Sequence, residues 1–161
     1  MADLIGDSAH AEQDLKAAIA LDPSFVPAYV NLADIYRAQR READAERVLR
    51  DGLKMSPNGA PLHHALGLTL VRAKRYTEAI TELAKAAKLD PTSGRFAYVY
   101  GVALHSAGGV DEAIATLGKA SANHPADTDL LEALASFYRD RGNDAEARRY
   151  AEQLRAVAAG L

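Results

Sequence analysis

Residues 45–57 read AERVLRDGLKMSP, and related strings stand at 11–23 (AEQDLKAAIALDP), 79–91 (AITELAKAAKLDP) and 113–125 (AIATLGKASANHP). The prolines that close them, Pro23, Pro57, Pro91 and Pro125, lie 34 residues apart. Each string opens on an alanine (Ala11, Ala45, Ala79, Ala113), carries a leucine at its fifth place (Leu15, Leu49, Leu83, Leu117) and a small residue at its eighth (Ala18, Gly52, Ala86, Ala120). Four columns coinciding at one period mark an internal repeat, and a period in this range marks a solenoid of stacked units.

Working outward, each period holds two helical patterns. Tyr29, Leu32, Ala33 and Tyr36 recur at the i, i+3, i+4, i+7 spacing of one helix face. Ala45, Val48, Leu49 and Gly52 repeat that spacing on a second helix, and the polar stretch Gln39, Arg40, Arg41 and Glu42 separates the two. The proline ends the second helix because it lacks an N–H and pushes the preceding residue out of the helical region. Gly108 and Gly142 sit at equivalent inter-helix turns, where glycine suits the left-handed residue that closes a helix. Arg40 and Lys74 hold that place in the earlier repeats, so those turns are expected to be strained or of another type.

This pattern resembles the tetratricopeptide repeat family, with its ~34-residue period of two antiparallel helices. Tyr29, Leu32, Tyr36, Ala45, Leu49 and Pro57 carry the resemblance in the first full repeat. Leu66, Gly67, Ala79, Leu83, Ala86 and Pro91 carry it in the second, and Tyr100, Gly101, Ala113, Leu117, Ala120 and Pro125 in the third. The fourth keeps Leu134, Ala135, Tyr138 and Ala147. The resemblance implies an all-α, right-handed superhelical solenoid of antiparallel helix pairs, about nine helices in one domain. Its units are a half repeat at 7–25 and repeats at 26–59, 60–93, 94–127 and 128–161, with Gly6 at the turn that opens the half repeat. Where the family often has a large aromatic, this chain has His63, Ala97 and Leu131, which predicts looser packing at those points.

Composition agrees with such a fold and excludes several functions. The 161 residues are 48% hydrophobic, much of it alanine, and only 6% aromatic, a balance that favours closely packed helices over a sheet. The net charge of −3 leaves no electrostatic footprint for nucleic acid. The richest basic cluster, Arg37, Arg40 and Arg41, is followed at once by Glu42, Asp44 and Glu46 and reads as a solvated surface. Absence of cysteine removes disulfides, thiolate metal sites and covalent haem attachment, so no cofactor is expected. Such a chain suits the cytoplasm, or the periplasm if it belongs to an exported protein. The start, MADLIGD, is no signal peptide, and no apolar run reaches the ~18 residues of a membrane span. No H-E-x-x-H, G-x-S-x-G or phosphate-loop pattern occurs, and Asp111, Glu112 and Asp144 fall at helix starts, where carboxylates suit the helix dipole. The chain is therefore read as a binding protein and not as an enzyme.

In the family, the first helix of each repeat lines a concave inner face, and the residues between the core positions line the groove. Here these are Asn31, Asp34 and Arg37, then Pro61, His64, Leu68 and Arg72. They continue with Arg95, Tyr98, Val99, Val102 and His105, then Asp129, Glu132, Ser136 and Arg139. An apolar middle (Leu68, Val99, Val102) with Tyr98 and flanking Arg72 and Arg95 suits a peptide with an apolar anchor and an acidic flank. His64 and His105 would face the same groove, two imidazoles that could respond to metal or pH, while His63 is read as part of the packing; no metal site is expected. The family's clamp for chaperone C-termini is not reproduced. Its places hold Val30, Asp34, Ala65, Arg95 and Val99, of which Arg95 alone is compatible.

Three readings follow. The leading one is a scaffold that binds a protein or peptide in the groove, with neither nucleic acid nor membrane as partner. The second is a homodimer through terminal helices, such as 144–159 with Ala147, Tyr150, Ala151 and Leu154. The third is an accessory interaction domain of a larger protein, since the stretch 25–36 resembles repeats appended to larger, in part cytochrome-like, bacterial proteins.

Overall fold

The computed structural model describes the backbone of residues 2–160 and the side chains of residues 8–160. Nine α-helices fill the described residues: α1 (Ala2–Leu21), α2 (Val26–Ala38), α3 (Glu42–Met55), α4 (Ala60–Arg72), α5 (Tyr76–Leu89), α6 (Gly94–Ser106), α7 (Val110–Asn123), α8 (Thr128–Asp140) and α9 (Asp144–Ala158). None is long and apolar enough to cross a membrane. The helices group into two compact units, Met1–Leu89 and Asp90–Leu161, and the division falls just before Pro91.

The turns within the repeats are all of one type. Arg41, Arg75, Gly109 and Asn143 each donate their backbone N–H to the carbonyl five residues earlier, at 2.8, 2.9, 2.9 and 2.8 Å. That six-to-one bond closes a helix through a left-handed residue. The left-handed residues are Arg40 (φ 58°), Lys74 (φ 60°), Gly108 (φ 89°) and Gly142 (φ 79°). Arg40 and Lys74 thus adopt the glycine conformation at a steric cost, and the alternative of a different turn type does not occur. Proline opens α2 and α4 within the first helical positions, where a missing N–H costs nothing. α6, α8 and α9 are capped by side chains. Ser93 accepts from the N–H of Phe96, Asp127 from those of Asp129 and Leu130, and Asn143 from that of Glu146.

α1 runs without a break through Gly6, so the turn expected there is absent. A break would forfeit helical hydrogen bonds, and among the described residues no preceding helix packs there to offset the loss.

Within the first unit, Tyr29, Leu32 and Tyr36 of α2 pack with Leu49 of α3 and Leu62, Leu66 and Leu70 of α4. Close approach is set by glycine. A Cβ on Gly67 would lie 2.6 Å from Leu83 Cγ, and one on Gly101, in the second unit, 2.6 Å from Leu117 Cδ2. Polar bonds repeat with the same register. Tyr29 donates its hydroxyl to the carbonyl of Pro23 (2.9 Å), and His63 meets the carbonyl of Pro57 (2.9 Å). Glu12–Arg41 (3.1 Å) and Glu46–Arg75 (2.7 Å) tie successive second helices in the same way.

The loosening expected at His63 and Leu131 is not found. His63 is buried, its Nδ1 lying 2.6 Å from Glu82 Oε2, and Leu131 is fully buried. An imidazole recovers the hydrogen bond that the aromatic at Tyr29 makes, and leucine fills the space with aliphatic carbon. Burial alone would raise the Glu82 carboxyl, but hydrogen bonds from Lys85 and His63 outweigh it and hold the group below its ordinary value.

In the second unit, Leu104, Leu117, Leu130, Leu131, Leu134 and Phe137 form the interior. Ala147 and Tyr150, offered above for self-association, are buried within the chain, and Tyr150 stacks on Tyr138 with centroids 5.6 Å apart.

Candidate peptide-binding faces

The outward positions of α2 and α4 come from residues between the core columns. Asn31 and Asp34 are exposed, as the spacing predicts. Arg37 is not offered to a ligand in the same way. Its guanidinium donates to the carbonyl of Ala65 at 2.8 Å and pairs with Asp34. Arg72 in turn bonds Glu42 at 3.1 Å and the carbonyl of Arg37 at 3.3 Å. Both cations therefore tie first-unit helices together. His64 is buried and Leu68 half-buried. The chemistry expected of this face is largely absorbed by packing of helix on helix.

The faces of α6 and α8 differ. Arg95 is exposed, and Tyr98, Val99 and Val102 of α6 are half-buried. On α8, Asp129, Glu132 and Arg139 are exposed and Ser136 half-buried. Among the described residues, Arg95, Tyr98 and Glu132 make no hydrogen bond or ion pair. His105 ends the α6 face. Its ring stacks on Phe137 with centroids 3.9 Å apart and planes within 5°, and its Nε2 lies 3.1 Å from Asp140 Oδ2. The sequence placed His105 at the groove but missed Phe137 and Asp140 as its neighbours. Phe137 falls in the apolar column of α8, and only the crossing of α6 on α8 brings it under an imidazole. Among the described residues, no group of three or more His, Asp or Glu is placed to hold a metal ion.

Family profiles described as tetratricopeptide repeat match residues 6–68 and 70–136, and a second such profile matches 129–159. The chain belongs to the tetratricopeptide repeat family. Among solved structures, one described as MamA shares 22% identity at a TM-score of 0.83, covering 98% of this chain and 92% of that one. MamA AMB-1 shares 25% identity at a TM-score of 0.76, covering 98% and 86%. YrrB, described as a TPR protein with an unusual peptide-binding site, shares 19% at a TM-score of 0.75, covering 96% and 80%. No curated protein matches the chain.

Tetratricopeptide repeats are interaction scaffolds, and no catalytic family is indicated for the chain. The candidate residues on α2, α4, α6 and α8 fall into two sets. Arg37, His64 and Arg72 are engaged or covered in the first unit, while the side chains of Arg95, Tyr98 and Glu132 in the second have solvent access and no polar partner among the described residues.

Proposed function

We propose that the chain is a protein-interaction scaffold whose α6 and α8 face holds a partner segment with an apolar anchor and an acidic flank. One observation carries this reading. Arg95, Tyr98 and Val102 stand on one side of α6, exposed or half-buried, and the two polar side chains have no partner among the described residues. A guanidinium without an internal carboxylate is ready for a charge-assisted bond to an acidic side chain. Tyrosine beside valine supplies contact area at a small cost in rotamer entropy. Glu132 and Arg139 on α8 set the polar rim. In the first unit Asn31 and Asp34 are exposed on α2, while Arg37 and Arg72 tie its helices and His64 is buried.

A random peptide library selected on the protein, with an Arg95→Glu, Tyr98→Ala double variant for counter-selection, tests this. The proposal expects enriched sequences that pair an apolar residue with Asp or Glu and do not bind the double variant. Enrichment of sequences that bind both proteins equally would place the binding face elsewhere.

A further inference from the structure

Two turns of the first unit carry a residue that their backbone disfavours. The left-handed residue after α2 is Arg40 (φ 58°) and that after α4 is Lys74 (φ 60°), while the second unit fills the equivalent places with Gly108 and Gly142. Glycine takes this conformation without the clash between Cβ and the following carbonyl that an L side chain meets. The chain thus uses the unstrained residue at two of these turns and a strained cation at the other two. An observed backbone outlier of this kind points to a role for the side chain it carries.

The fold does not call for either cation. A helix dipole favours a cation in the last turn, but Arg37 and Arg72 already stand there in α2 and α4. The neighbouring arginines have partners. Arg37 meets Asp34, and Arg72 meets Glu42 at 3.1 Å. Arg41 meets Glu12 at 3.1 Å and Asp44 at 2.8 Å, and Arg75 meets Glu46 at 2.7 Å and Glu78 at 2.6 Å. Arg40 and Lys74 are exposed, and among the described residues neither side chain has a hydrogen bond or ion pair. The carboxylates of this edge are engaged by other arginines, so Arg40 and Lys74 remain as its surplus charge.

The two cations stand one repeat apart on adjoining turns. Arg37 of α2 donates to the carbonyl of Ala65 in α4 at 2.8 Å, and Arg72 at the end of α4 reaches back to the carbonyl of Arg37 at 3.3 Å. Helices in such contact lie about 8–10 Å apart. A polyproline-type strand advances about 9 Å over three residues and presents every third side chain on one side. Carboxylates three residues apart therefore match the two turns. A nucleic-acid strand, charged every few ångströms, would also meet the repulsion of Glu42, Asp44 and Glu78.

We infer that this turn edge docks an acidic protein segment, extended across the two turns, with Asp or Glu at every third residue facing Arg40 and Lys74. The site uses residues of the first unit alone and is independent of the α6 and α8 reading.

The probe is acetyl-(Glu-Pro-Pro)4-amide, whose blocked ends leave side-chain charge only, titrated into 15N-labelled protein and followed by NMR at two salt concentrations. The amides of residues 39–42 and 73–76 should shift, and affinity should fall as salt rises. Acetyl-(Glu-Glu-Pro-Pro-Pro-Pro)2-amide has the same composition without the three-residue spacing. It should bind about three-fold more weakly, the worth of one exposed ion pair. An Arg40→Gly, Lys74→Gly variant should bind the spaced peptide about ten-fold more weakly while resisting urea better than the parent, so its loss is not a loss of folding. Arg40→Lys, Lys74→Arg should retain binding, as should Arg95→Glu, Tyr98→Ala. Absence of shifts in those amides, equal affinity for the two peptides, or undiminished binding by the glycine variant would each overturn the inference. Tighter binding of a thymidine pentanucleotide, which carries the same number of charges, would overturn it in favour of nucleic acid.

Discussion

Gly67→Ala tests the packing of the repeats at its closest point. The added Cβ would lie 2.6 Å from Leu83 Cγ, 2.7 Å from Leu83 Cδ2 and 3.3 Å from the carbonyl of Ala79. Leu83 is fully buried, and its Cγ is a branch point that cannot swing aside alone, so the helices must part. Overpacking of this kind costs about 1–3 kcal/mol. The substitution also gains about 1 kcal/mol of helix propensity. The balance is a loss of about 0–2 kcal/mol, and for a chain of this size each kcal/mol lowers Tm by about 2–4 °C. Gly101→Ala, against Leu117, should behave alike. Gly118→Ala is the control. Gly118 lies inside α7 and an added Cβ would meet nothing within 4 Å, so the propensity gain of about 1 kcal/mol should appear alone and raise Tm. Thermal unfolding followed by far-ultraviolet circular dichroism reads all three. A Tm raised by Gly67→Ala as much as by Gly118→Ala would refute the close-approach argument.

Other outcomes follow from single features. Arg40→Gly and Lys74→Gly relieve side chains held at φ 58° and 60°, and each should raise unfolding free energy by about 0.5–1 kcal/mol in urea titrations, the left-handed penalty exceeding glycine's entropy cost. Asp127→Ala removes the cap that accepts from Asp129 and Leu130 and should cost about 1 kcal/mol by the same assay. Glu82 has its carboxyl held below the ordinary value of 4.5, so the folded state binds its proton less readily than the unfolded state does. Its stabilising contribution is complete above that value and fades as pH falls below it. Glu82→Gln should therefore flatten the loss of stability below about pH 4.5, seen in denaturation midpoints across an acid pH series.

The fold was legible because its signals repeat. One proline or one Leu49 decides little, but the same column at 34-residue intervals leaves the helix pairs with one reading. Local detail was harder. Gly6 satisfies the register of a turn, yet it lies within α1, because register alone does not supply a packed partner. His63 read as a poor substitute for an aromatic, since spacing does not show that its ring reaches the carbonyl of Pro57 and the carboxylate of Glu82. The candidate site was legible in position and less so in role. Helical spacing put Arg37, Arg72 and Arg95 on outward faces, but whether a guanidinium finds a neighbour's carbonyl depends on how closely the next helix approaches. That distance turned Arg37 and Arg72 into ties and left Arg95 without a partner among the described residues.

The central claim is that partners bind on the α6 and α8 face through Tyr98 and Arg95. Calorimetric titration of a library-selected peptide into the parent chain and into the Arg95→Glu, Tyr98→Ala variant tests it most directly. The account predicts that the double variant weakens binding by about thirty-fold or more, the loss of a hot-spot contact of about 2 kcal/mol or greater, with its Tm unchanged. Equal affinity for both proteins would contradict it.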